Sequence, residues 1–137
     1  MKVFKRSVVY FIQGKLTQRI KIGSTQCLID ERMKELQTGS PDELNFIGAY
    51  FGSQYSETQV HDLFSKSRLH GEWFEPTDDI FKFIANDCVT DLKSSYFTYQ
   101  QIEDGSLPLE QVVNLEPKEL ARRYDVYLSK LVSSISF

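Results

Sequence analysis

Three things are scarce in this chain: thiols, long apolar runs and any overall excess of positive charge. The two cysteines, Cys27 and Cys88, make no Cys-x-x-Cys and no Cys/His cluster at zinc spacing, which argues against a disulfide framework and a structural zinc. No long apolar run follows Met1, so neither a signal peptide nor a transmembrane span is expected. An intracellular, cytoplasmic and reducing setting with both thiols free follows as the expectation. The formal charge is −3, which by itself argues against a general nucleic-acid binder. No zinc finger, helix-turn-helix signature, internal repeat or low-complexity segment is visible.

What is present is enough for a packed domain. The 137 residues are 41% hydrophobic and include ten Phe, seven Tyr and one Trp, which suits a sheet-containing core. The charge is also uneven. Residues 1–39 hold eight Lys/Arg against three Asp/Glu, a net of +5, and residues 40–137 hold eight against sixteen, a net of −8. A basic third on an acidic remainder can form a local anion site.

The order of elements reads from pattern and punctuation. Ser7–Gln13 and Arg19–Ile22 flank a short Gly-containing turn and predict a hairpin. A helix over Leu28–Gln37 stops at Gly39 and Pro41. Glu43–Phe51 is a third strand. Ser56 with Gln59 is a capping box, which starts a helix at Glu57 running to about Lys66. Residues 71–74 are a short extended or turn segment. Asp78–Asp87 is a further helix with Ile80, Phe81 and Ile84 as its apolar residues. Residues 95–103 are weakly helical, and Pro117–Ser133 is a last helix with an apolar face that packs on the domain or on a second copy of it. The expectation is an α/β (α+β) domain over 1–90, a three-stranded, mainly antiparallel sheet flanked by helices, with a helical extension over 91–137 and homo-oligomerisation through its last helix.

Three positions place chemistry against an apolar face. On the first helix, with Leu28 at 0°, Arg32 falls at 40°, inside the arc of Leu28, Leu36 and Ile29. Either its stem lies along the core edge, or its fork points at an anion such as phosphate. On the next helix, Glu57 lies at the rim of the buried face with His61 one turn on, either a solvated first turn or a pair sharing a ligand. In the first strand, Tyr10 alternates with Val8 and Ile12. A cation such as Lys21 beside it would favour phenolate.

The order Val8-Val9-Tyr10, Lys21-Ile22-Gly23-Ser24-Thr25, Arg32 with LQTGSP (36–41), Glu57, His61, Phe64 and Gly71-Glu72-Trp73-Phe74 resembles the GIY-YIG nuclease superfamily. It is most similar to that superfamily's branch of phage DNA-binding domains and meiotically up-regulated gene products, over about residues 7–87. The resemblance implies phosphodiester hydrolysis of DNA with one divalent cation, Mg²⁺ or Mn²⁺. It implies Tyr10 as the residue that activates water, Arg32 as the stabiliser of phosphate charge and Glu57 as the metal ligand. Lys21 and His61 complete the catalytic set, and Lys21, Ser24, Thr25, Arg32, Glu72 and Trp73 the DNA-contacting set. Lys21 stands where the superfamily's second motif begins with Tyr, and Val8-Val9-Tyr10 where the first has Gly-Ile-Tyr. Cleavage, DNA binding without cleavage, and a protein-interaction role for residues 107–137 are the alternatives open at this point.

Overall fold

A computed structural model describes residues 7–51 and 54–91. The expected helices at 95–103 and 117–133, and the interaction role built on them, lie outside the described residues.

The β-branched and aromatic run at the start forms β1 (Val8–Gly14), which turns through Lys15–Gln18 into β2 (Ile20–Thr25). Then come α1 (Ile29–Thr38), β3 (Leu44–Tyr50), α2 (Glu57–Leu63), a short 3-10 turn at Ser65–Ser67, β4 (Arg68–His70), β5 (Trp73–Phe74) and α3 (Asp78–Asp87). The sheet is antiparallel with strand order β3-β1-β2-β5-β4.

The class agrees with expectation, but the sheet has five strands where three were expected. The two extra strands are three and two residues long, too short for alternation to show. They form a hairpin because Gly71 takes φ +56°, a left-handed conformation that glycine adopts without a Cβ penalty. The second helix also ends sooner than expected, at Leu63, and its last turn tightens into the 3-10 segment. The capping box is formed as read: Gln59 N–H donates to Ser56 Oγ at 3.2 Å, and Ser56 N–H donates to Gln59 Oε1 at 2.9 Å.

β1 is an interior strand between β3 and β2 and is buried on both faces. On one side Val9 and Phe11 pack with Ile20, Ile22, Phe74, Val60 of α2 and Ile80 and Ile84 of α3. Phe83, not Phe81, is the α3 aromatic that joins this core, with its ring 5.4 Å from Tyr50 and 5.8 Å from Phe11; Phe81 is exposed. On the other side Val8, Tyr10 and Ile12 meet α1 through Ile29, Met33 and Leu36. The loop after α1 braces the hairpin tip. Asp42 accepts hydrogen bonds from Leu16 N–H (2.9 Å) and Thr17 N–H (3.3 Å), which hold its carboxylate below its usual range.

One register position matters for everything below. Tyr10 of β1 lies opposite Gly23 of β2, and a Cβ at Gly23 would collide with the Tyr10 hydroxyl and ring. Tyr10 is almost fully buried and cannot swing aside. A Gly23→Ala protein should therefore lose about 1–3 kcal/mol of stability in urea unfolding through overpacking; unchanged stability would mean the ring has room to move.

Candidate active site at the open edge of the second strand

β5 pairs with β2 only at Ile20↔Phe74 and Lys21↔Trp73, and the contact ends with Ile22 N–H donating to Glu72 C=O at 2.9 Å. Beyond that point Gly23–Thr25 have no β5 partner. Side chains from both faces of the sheet reach this stretch of edge. Tyr10 and Arg32 arrive from the α1 side and Glu57 from the α2 side, while Lys21, Ser24 and Glu72 come from the edge itself.

The contacts form two groups. Ser24 Oγ donates to Glu57 Oε2 at 2.5 Å. The Glu57 and Glu72 carboxyl groups lie close enough that each shifts the other's titration. Glu72 is paired with Lys21 Nζ at 2.8 Å, and Lys21 in turn lies 5.6 Å from the centre of the Trp73 ring. The Arg32 guanidinium lies beside the Tyr10 hydroxyl and pairs with Glu35 at 2.8 Å.

The two carboxyl groups are shifted in opposite directions. Burial and the neighbouring Glu72 raise Glu57 above the usual carboxylate range, against the lowering effect of Ser24. Burial also acts to raise Glu72, but the Lys21 ammonium and the neighbouring Glu57 carboxyl outweigh it and hold Glu72 low. Of the two, Glu57 keeps its proton to the higher pH. The consequences for stability are opposite. The raised Glu57 favours the folded state at low pH, an advantage lost as pH rises through its folded pKa. The lowered Glu72 favours the folded state at higher pH, an advantage lost as pH falls through its own.

Tyr10 departs from expectation. A neighbouring cation was expected to lower its pKa. The cation is there, as Arg32, but burial dominates and the phenol is raised. Arg32 itself sits as its helical angle required, half exposed on the α1 rim with its fork at Tyr10. His61 is 8% exposed and its Nε2 meets Ile22 C=O at 2.8 Å, while Glu57 Oε1 is 3.7 Å away. Thr25 is turned to the loop, where its Oγ1 accepts from Cys27 N–H at 3.0 Å. Trp73 is half buried against Ile12, Leu44 and Leu36. Sequence reasoning named all of these positions. It missed that Ser24 and Glu72 both lie beside Glu57, and that Gly23 leaves the space Tyr10 fills. The signal for the last was Tyr10 and Gly23 in facing strands of a hairpin.

Among the described residues no group of three or more His, Cys, Asp or Glu side chains is arranged to hold a metal ion. The oxygen donors at this edge are Glu57, Glu72 and Ser24. No helix among the described residues is long and apolar enough to cross a membrane.

The fold and this edge define a small α+β domain with a mixed acidic and cationic site at one sheet edge. Residues 7–93 match the family model of the T5orf172 domain, and the chain belongs to that family. The family is phage-associated and DNA-related. This corrects the assignment to the GIY-YIG superfamily drawn from motif order: Val8 and Lys21 replace the Gly and Tyr that define that superfamily's two motifs, and the family that matches is T5orf172. Roles for the site residues therefore stand on the geometry above. No curated protein and no solved structure matches the chain significantly.

The raised pKa of Glu57 sets a clear expectation. In EDTA-containing buffer at pH 7.5, Glu57→Gln removes a carboxylate that is costly beside Glu72. Its Tm should rise by about 2–6 °C, and the gain should vanish near about pH 4, where Glu57 is protonated anyway. A Tm that falls at pH 7.5 would contradict the raised pKa of Glu57.

Proposed function

We propose that this domain hydrolyses phosphodiester bonds in DNA with the help of a divalent cation, Mg²⁺ or Mn²⁺, held by Glu57. The observation that supports it is the meeting of Tyr10, Lys21, Arg32, Ser24, Glu57 and Glu72 at one open sheet edge.

The donor set fits such a cation. Two glutamates and a hydroxyl are hard oxygen ligands, and two neighbouring carboxyl groups are a place where a cation would relieve their repulsion. So few protein ligands suit an ion that keeps much of its water shell. When bound, the cation would offset charge at phosphorus and lower the pKa of a nucleophilic water.

The chain's own residues supply the rest. Ser24 fixes the rotamer of Glu57 by donating to it. Arg32 presents a permanently charged fork at the rim, where a phosphate entering over Tyr10 meets it. The Arg32 guanidinium beside the buried Tyr10 hydroxyl is the group through which Tyr10 would act on a bound phosphate. If Tyr10 acts as the base, Arg32 is the cation that stabilises its phenolate. Lys21, paired with Glu72 and lying over Trp73, is a second cation at this edge.

A second reading is DNA binding without cleavage. It is favoured by the raised pKa of Tyr10 and by the engagement of Lys21 with Glu72.

The test is nicking of plasmid and branched DNA in Mg²⁺ or Mn²⁺. Wild type should nick, Glu57→Ala should not, and Arg32→Ala should lose about 100-fold or more in rate. DNA left intact in both metals, with salt-dependent binding that survives Tyr10→Phe, would overturn cleavage in favour of the binding reading.

A further inference from the structure

The sheet register makes Ile22 the next residue to pair with β5, opposite Glu72. One half of that rung exists: Ile22 N–H donates to Glu72 C=O at 2.9 Å. The carbonyl half goes to a side chain. Ile22 C=O meets His61 Nε2 at 2.8 Å, which makes Nε2–H the donor. His61 belongs to α2, one turn after Glu57. A single buried residue of β2 is thus bonded to both segments that carry the paired glutamates.

The imidazole is held for this task. Its ring packs on Phe74, centroids 5.2 Å apart, and is 8% exposed. Glu57 Oε1 at 3.7 Å is beyond hydrogen-bond reach. With Nε2–H committed to a buried carbonyl, that nitrogen is neither a base nor a metal ligand. α2 has only seven residues; its capping box secures the first turn and His61 ties its far end to the sheet. Without the His61 donor, Ile22 C=O would be buried and unpaired, and α2 would be free to shift against β2.

We propose that His61 is a positioning residue, which continues the β2–β5 ladder with a side-chain donor and thereby holds Glu57 beside Glu72. The inference rests on the reading of Glu57 as the carboxylate of a phosphodiesterase.

The test compares His61→Phe, which keeps the ring but has no donor, with His61→Gln, which places a donor near the Nε2 position. Two quantities are measured on the full chain: kcat and KM for Mn²⁺-dependent nicking, and amide hydrogen exchange of Ile22 and Glu72 in metal-free protein. His61→Phe should lower kcat by about 10–100-fold with KM for DNA unchanged, and should speed Ile22 exchange by about 10-fold or more. His61→Gln should restore both. Wild-type kcat in His61→Phe, or equal loss in both variants, overturns the proposal. If wild type itself does not cut DNA, the nuclease reading falls. The exchange data then decide separately, and Ile22 protection unchanged in His61→Phe overturns the positioning role.

Discussion

The site depends on β5 being two residues long. A longer β5 would continue along β2, pair with Gly23 and Ser24, and seal the edge between the two layers of helices. Because it stops at Trp73, the backbone turns away at Glu72 and side chains from opposite faces of the sheet come together. Tyr10 reaches the edge because Gly23 leaves room for its hydroxyl. Glu57 reaches it because the Ser56 capping box starts α2 at that level, and Ser24 donates to its carboxyl. The core on either side serves mainly to hold α1 and α2 against this gap.

Charge at the edge is close to balanced. Lys21 is matched by Glu72, and Arg32 by Glu35. A site of this kind has little long-range pull on a polyanion, which agrees with a chain of net charge −3. Its discrimination is local. Under the proposed function a phosphate would compete for Lys21 and Arg32 with carboxylates already there, and a cation would compete for Glu57 and Glu72 with Ser24 and Lys21. Anion and cation therefore favour each other's entry: the cation neutralises the carboxylates that restrain Lys21, and the freed Lys21 can meet phosphate.

Much of this was legible before the structure. β1 alternated as read, the three helices began within a residue of their signals, and the helical angle that set Arg32 inside an apolar arc is the angle that aims it at Tyr10. The failures have definite causes. β4 and β5 were too short for periodicity to reveal. The Tyr10 pKa went the other way because proximity of a cation can be guessed from sequence, whereas the depth of burial opposing it cannot. Lys21 was read as a partner of Tyr10, but its closest charge is Glu72, which a β-hairpin fifty residues later brings beside it. Motif order led to a nuclease superfamily, and the family model led to the T5orf172 domain; the residues quoted are the same, and the family to which they belong is the corrected part.

The central claim is that the open edge of β2 gathers a phosphodiesterase site around Glu57. Anomalous scattering from crystals grown with Mn²⁺ tests it most directly. The account predicts a peak about 2.1–2.3 Å from a Glu57 carboxylate oxygen, with Glu72 and Ser24 beside it, and no such peak in Glu57→Gln crystals. Crystals in which Mn²⁺ binds elsewhere, while Glu57 stays beside Glu72, would contradict it.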